Sequence, residues 1–384
     1  MSGKTIVVLG GGIGGVVVAS RLRKKLRREH RVVLVEREVN HLFQPSLLWL
    51  MTGARTPQAI TRPVARLARH GIEVIRGTVE DIDAPRRTVT VNGTVLTADY
   101  LIIALGAEYA PETVPGLALA GHNFYTLTGA LALQELLRTL RIGRVAVLVS
   151  GIPFKCPAAP YEAAMLLEAD LRSRGVRDHV AVDVYTPEPG PMLTAGPEVS
   201  AQLRQMVASK NIRLHTEHAV VKVDPATRLI HFANAATAPF DLLAYVPPHR
   251  VPAVVRGAGL TGESGWVPVN RETLETRIPD VYAIGDVTGI PLAIGKPLPK
   301  AGVFAHAEAE VVAHNIAGAI RGGGAPRAFE GHGACFVEIG DGRAGFGSGN
   351  FYAEPKPRII MKPPGRWLHL GKVLYEKYWL YRWF

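Results

Sequence analysis

A chain of 384 residues is too long for one small core and predicts two or three domains. Its 47% hydrophobic content, with 40 Gly and 28 Pro, excludes a disordered chain, and two cysteines are too few for a disulfide scaffold, so each needs a reason in reactivity or in burial. The 44 Lys and Arg against 33 Asp and Glu leave a formal charge of +11, which suits an anionic surface; with the basic residues scattered outside Arg21 to Arg31, and no helix-turn-helix or zinc-finger spacing, lipid is favoured over nucleic acid.

The chain opens into a β-branched run, Ile6 to Leu9, followed by glycines, a helical pattern over Val16 to Arg28 and an apolar strand, Val32 to Val35. That order predicts a βαβ unit. Gly10, Gly12 and Gly15 form G-x-G-x-x-G between strand and helix, and Glu36 ends the next strand. Glycines there allow a tight turn and a close approach to a pyrophosphate, which the free N–H groups of the helix start stabilise, while Glu36 suits ribose hydroxyls. The opening lacks the charged and apolar regions of a secretory leader, and no stretch approaches the ~20 apolar residues of a spanning helix. The expectation is a protein that does not cross the membrane and works on its cytoplasmic side.

Further on, Asn92-Gly93 marks a hairpin, and Tyr100 to Leu105 is a strand. A second βαβ unit starts with Val145 to Val149, a helical pattern over Glu162 to Leu171, and Val180 to Val184. Val281 to Ile284, ending in Gly285-Asp286, looks like a strand that returns to the first unit, and Val303 to Ile320 is a long helix. After the Gly-rich stretch Arg321 to Pro326 the composition changes: Arg366 to Phe384 holds three of the five tryptophans. Trp367, Tyr375, Tyr378, Trp379, Tyr381 and Trp383 alternate with Arg366, Lys372, Lys377 and Arg382. Aromatic and basic residues so mixed suit a membrane headgroup layer, although packing on the protein's own core accounts for the same residues.

The second unit departs from the first at its turn. Where a second pyrophosphate would need bare backbone stands Ser150-Gly151-Ile152-Pro153-Phe154-Lys155-Cys156-Pro157, which disfavours a nicotinamide cofactor. Pro157 predicts a helix starting there, placing Cys156 at or beside the N-cap, where the helix end and Lys155 would favour a thiolate. Glu162, inside the first turns, is a proton acceptor or merely an acid suited to the helix end.

Phe154-Lys155-Cys156-Pro157-Ala158-Ala159-Pro160-Tyr161-Glu162 resembles the C-P-x-x-P-x-E segment of sulfide:quinone oxidoreductases and of flavocytochrome c sulfide dehydrogenases. Ala98 to Gly106 and Thr276 to Asp286 resemble the crossing segment and second FAD motif of two-dinucleotide flavoproteins. Phe43-Gln44-Pro45-Ser46-Leu47-Leu48-Trp49 and Lys300-Ala301-Gly302 resemble segments at the flavin ring in the quinone branch.

The resemblance implies an α/β fold of two Rossmann-like, three-layer ββα domains with a C-terminal membrane-docking segment. Residues 1–112 and 258–330 would bind FAD, 113–257 would carry Cys156, and 331–384 would carry Cys335 and meet quinone and membrane. It further implies FAD held by Gly10, Gly12, Gly15, Glu36, Pro45, Val79, Gly106, Asp286, Lys300 and Gly302. Catalysis would fall to Cys156, Cys335 and Glu162, the two cysteines relaying electrons from sulfide, and Phe336 would contact the quinone. No metal is implied, and a homo-oligomer is compatible. Lys300 is expected to stabilise negative charge on reduced flavin, together with the helix beginning near Gly302.

Two departures stand out. The loop His122 to Thr128 lacks the further cysteine of several relatives, and no histidine stands near Pro191-Met192-Leu193. The alternatives are a type II NADH:quinone oxidoreductase-like enzyme, a flavocytochrome-type flavoprotein subunit, or a flavin-binding partner protein without turnover.

Overall fold

The computed structural model describes residues 3–384. Two five-stranded parallel sheets organise it. In the first, the strands lie in the order Val281–Ala283, Tyr100–Ile103, Thr5–Leu9, Arg31–Glu36, Glu73–Arg76, each parallel to its neighbour. In the second the order is His122–Asn123, Leu242–Val246, Gly143–Val149, Val180–Tyr185, Arg213–His215, again all parallel. Continuous Val, Ile and Leu runs form these strands because both faces are covered. Ile6 through Leu9 and Val145 through Val149 are accordingly buried on both sides.

Thr5–Leu9 in the first sheet and Gly143–Val149 in the second lie beside the point where the strand order reverses, so the loops after Leu9 and Val149 open at the carboxyl edge where ligands bind in such sheets. The first helix, Ile13–Lys25, starts earlier than the periodicity predicts, because Gly14 and Gly15 in its first turn give no side-chain pattern to read. Gly15 must be glycine: a Cβ there would stand 1.8 Å from the Gly10 carbonyl oxygen. Asn92 and Gly93 both take left-handed conformations, φ 48° and 72°, as a two-residue hairpin turn requires.

A three-stranded antiparallel sheet, His332–Gly340, Arg343–Asn350 and Arg358–Gly365, runs into the tail helix Arg366–Arg382. This helix has two faces. Lys372, Glu376, Trp379, Leu380 and Trp383 are buried, whereas Trp367, Leu370, Leu374, Tyr378 and Tyr381 are exposed. The tail is therefore not a uniform surface element: Trp379 and Trp383 join the core around the first sheet, with Phe43, Leu298 and Ile316. No helix among the described residues is long and apolar enough to cross a membrane.

Candidate active site

At the first glycine turn the residues fit a dinucleotide. Gly10 sits at φ +99°, and a Cβ would meet the Ala104 carbonyl at 2.5 Å, whereas Gly12 and Gly106 have nothing within 4 Å of where a Cβ would stand. The helix Ile13–Lys25 has no side-chain cap and no acid in its first turn, leaving its amides free for an anion. Glu36 accepts hydrogen bonds from the Gly11 amide and, at 2.8 Å, from the Glu38 amide, which fixes its carboxylate beside the turn. Val79 begins the hairpin strand Val79–Asp83 just beyond Gly77, whose amide bonds the Glu36 carbonyl at 3.0 Å. Asp286 offers a carboxylate with no hydrogen-bond donor on it among the described residues, while its backbone carbonyl accepts from Lys300 Nζ at 2.8 Å.

Lys300 is buried, not a loop-surface residue. Its ammonium also donates to the Thr288 carbonyl at 2.9 Å and lies 3.3 Å from the centre of the Trp266 ring. Burial pulls its pKa down to about 8, against the opposing pull of Asp286 and Glu308. Gly302 begins the helix Gly302–Arg321 at the start of the glycine-turn helix: a Cβ on it would stand 2.4 Å from Ile13. Packing between two helix starts explains that glycine, and both helix ends face one region. Pro45 lies exposed in the turn Gln44–Ser46, tied across the cleft by Lys155 Nζ donating to Gln44 Oε1 at 2.7 Å.

Cys156 is held on the facing wall. Its amide donates to the Lys300 carbonyl at 2.6 Å, its carbonyl accepts from Ala159 N at 2.8 Å and from the Tyr125 hydroxyl at 3.3 Å, and its φ is +51°. A left-handed non-glycine residue so tightly bonded is backbone strain retained at a site. Cys335 projects from the strand His332–Gly340 close enough that its charge bears on Cys156, and both are free thiols.

One expectation fails here. The helix after Cys156 starts at Ala159, with Ala158 as N-cap and Pro160 in its first turn, so Cys156 and Pro157 lie before it. Burial, then the neighbouring Cys335 and Glu162, pushes the Cys156 thiol well above the ordinary range, whereas Cys335 is exposed to solvent on its strand. The Ala159 amide at the helix start does favour the thiolate, but burial outweighs it. Lys155 is not its partner either, since that ammonium is spent on Gln44 and the Tyr109 ring; the cation that favours both thiolates is Lys372.

Lys372 was placed by sequence among the lipid-facing basic residues, but it points inward. Its ammonium donates to Glu162 Oε2 at 2.8 Å, and the same oxygen accepts from the Glu338 amide at 2.8 Å. Burial alone would lower the lysine, yet Glu162 and Glu338 hold its pKa above the ordinary value. Glu338, its own pKa raised by burial, accepts from His369 Nδ1 at 3.0 Å, and His369 is half-buried. Alternation along the strand puts Cys335 and Val337 on one face, Phe336 and Glu338 on the other. Phe336 packs 4.9 Å from the Phe346 ring and against Gly371 of the tail helix, between thiols and tail.

Sequence reasoning missed Tyr125, Lys372, Glu338, His369 and His41. Only Lys372 carried a signal, a lone basic residue out of phase with the exposed aromatic stripe. A cleft of about 950 Å³ at the amino ends of Gly143–Val149 and Val180–Tyr185 lies on the edge opposite Cys156. Charged groups of its walls pair with one another, Arg172 with Glu168 and Asp341 and Lys210 with Asp341, apart from the thiols.

Residues 4–309 match the family model for pyridine nucleotide-disulphide oxidoreductases. The sulfide-quinone reductase of Aquifex aeolicus is 30% identical over 99% of this chain and 91% of its own length. The chain belongs to the sulfide:quinone reductase branch of that family. The solved structure of the sulfide:quinone oxidoreductase from Aquifex aeolicus superposes with TM-score 0.90 and 29% identity over 99% of this chain and 91% of that one. The mitochondrial sulfide:quinone oxidoreductase of Mus musculus is 26% identical over 74% of this chain and 66% of its own length. These two-sheet oxidoreductases are flavoproteins, which agrees with the open glycine turn.

Proposed function

We propose that this chain is a sulfide:quinone oxidoreductase that holds FAD between its two sheets and oxidises sulfide at Cys156 and Cys335. The observation that carries this reading is the convergence of the two thiols with the Lys372–Glu162 pair on the wall pinned to Lys300. Bound FAD supplies two-electron acceptance from sulfide and donation to quinone. Gly12 and the first-turn amides would hold its pyrophosphate, Glu36 the ribose, Asp286 the ribityl chain, and Lys300 the charge of the reduced ring.

The thiols act as a bridge. HS⁻ attacks a Cys156–Cys335 disulfide, forming one S–S bond and breaking another, so one cysteine carries a persulfide and the other leaves as a thiolate. Lys372 stabilises that thiolate, since its ammonium lowers the pKa of both sulfurs. Overall HS⁻, quinone and one proton give zero-valent sulfur and quinol. Glu162, bonded to Lys372 Nζ, and Glu338, bonded to His369 Nδ1, are the titratable groups nearest the thiols from which that proton would come. Phe336 walls the quinone side.

The nicotinamide alternative is disfavoured at the second turn. Ala159, Pro160, Tyr161 and Glu162 are all buried at the helix start, Pro248 stands 3.1 Å from where a Gly151 Cβ would be, and Glu188 is taken by Tyr161 and Thr186 hydroxyls. Mixing the oxidised protein with sulfide and, separately, with NADH tests the choice: sulfide bleaches the flavin and NADH leaves it oxidised. Bleaching by NADH alone overturns the reading.

The exposed stripe Trp367, Leu370, Leu374, Tyr378 and Tyr381 recurs at three- and four-residue steps beside exposed Arg366 and Lys377. An amphipathic helix so built lies in the headgroup layer without spanning it, which brings quinone to the Phe336 side.

A further inference from the structure

His41 lies on the short strand Asn40–Leu42, buried between the glycine turn and the tail helix. Its Nδ1 stands 2.9 Å from the Gly11 carbonyl oxygen and its Nε2 3.1 Å from the Trp379 indole nitrogen. A carbonyl only accepts and an indole N–H only donates, so the imidazole is neutral with its proton on Nδ1. Burial, opposed by the Gly11 bond, keeps its pKa down at about 4, and the Phe384 ring closes over it at 4.9 Å.

A trans peptide points its C=O and N–H in opposite directions. Holding the Gly11 carbonyl toward His41 thus turns the Gly12 amide away from it. That amide has no partner among the described residues, and Gly12 borders open space. The neighbouring Gly11 amide is spent on Glu36, so the direction of this peptide decides how many donors the turn presents to a phosphate.

We propose that His41 is a positioning residue for the dinucleotide: bonded on one side to Trp379 and on the other to Gly11, it aims the Gly12 amide at the pyrophosphate and couples the tail helix to cofactor retention. The inference rests on the FAD reading. It also explains why a tryptophan of the tail is buried far from the exposed aromatic stripe, and by linkage the tail packs less firmly once the cofactor leaves.

The test is the rate at which diluted holoenzyme releases FAD, followed as a rise in flavin fluorescence. His41→Leu keeps bulk and loses both bonds, His41→Gln keeps one donor and one acceptor, and Trp379→Phe keeps a packed ring without its N–H. Loss of an aligned hydrogen bond predicts release about tenfold faster in His41→Leu and about fivefold faster in Trp379→Phe, with His41→Gln within about threefold of the parent. Should His41→Leu fail to fold, the Trp379→Phe and His41→Gln rates carry the same comparison. Equal rates in a flavin-loaded parent and the variants overturn the inference alone. A purified parent without flavin absorbance overturns the cofactor reading, and the inference with it.

Discussion

The amide of Cys156 donates to the carbonyl of Lys300 across 2.6 Å, joining the loop of the second sheet to the segment whose ammonium grips Asp286 and Thr288. The Cys156 loop and the Lys300 segment are thereby tied together, and under the proposed function the chemistry of each is expected to respond to the other.

Lys300 gives the pH dependence. Its folded pKa, about 8, lies below its ordinary value of 10.5, so the unfolded chain holds more protons between these limits. The cost of burying the charge is present below about pH 8 and fades as pH rises toward the unfolded value. Function runs the other way. As pH rises through about 8 the ammonium is lost, and under the proposed function reduced flavin would lose its stabilisation. The midpoint potential of the bound flavin should show an added fall there that Lys300→Met lacks; parallel profiles in the two proteins would remove Lys300 from this role.

Lys372 is buried against Glu162 rather than exposed on the tail, and the proposed function gives it a part in the thiol chemistry. Lys372→Met strands Glu162 as a buried, unpaired charge, at a cost of about 3–5 kcal/mol by denaturant unfolding. Adding Glu162→Gln should restore most of that stability while sulfide-dependent flavin reduction stays depressed by roughly 100-fold. Recovery of the rate along with the stability would reduce the pair to a structural one.

Membrane docking now separates from tail folding. Replacing Trp367, Tyr378 and Tyr381 together by Glu should abolish partition onto anionic vesicles and leave the melting temperature nearly unchanged, since all three are exposed. Trp379→Ala should do the reverse, destabilising by about 3–5 kcal/mol as a fully buried aromatic. Vesicle binding that survives the triple substitution would place the docking surface elsewhere.

Much of this was legible in the sequence because local rules applied. Gly10, Gly12, Gly15 and Glu36 announce a turn whose geometry depends on few neighbours, and the prolines around Cys156 mark a loop unfit for a second pyrophosphate. The aromatic tail was only half legible: its residue types suit lipid and core alike, and only tertiary packing separates Trp367 from Trp379 on one helix. Glu338 meets Glu162 through a contact spanning 176 residues, for which no local pattern exists. The acidified thiol was misjudged for a related reason. Proximity to a helix start can be read from Cys-Pro spacing, whereas the burial that outweighs it depends on the whole fold.

The central claim, that sulfide electrons enter through Cys156 and Cys335, is tested most directly by stopped-flow mixing of the flavin-loaded protein with sulfide. The parent should bleach rapidly and regain its oxidised spectrum on adding a quinone analogue. Cys156→Ala and Cys335→Ala should retain flavin and bleach at least about 1,000-fold more slowly, the loss expected when a covalent nucleophile is removed. Bleaching at the parent rate in either variant would contradict the account.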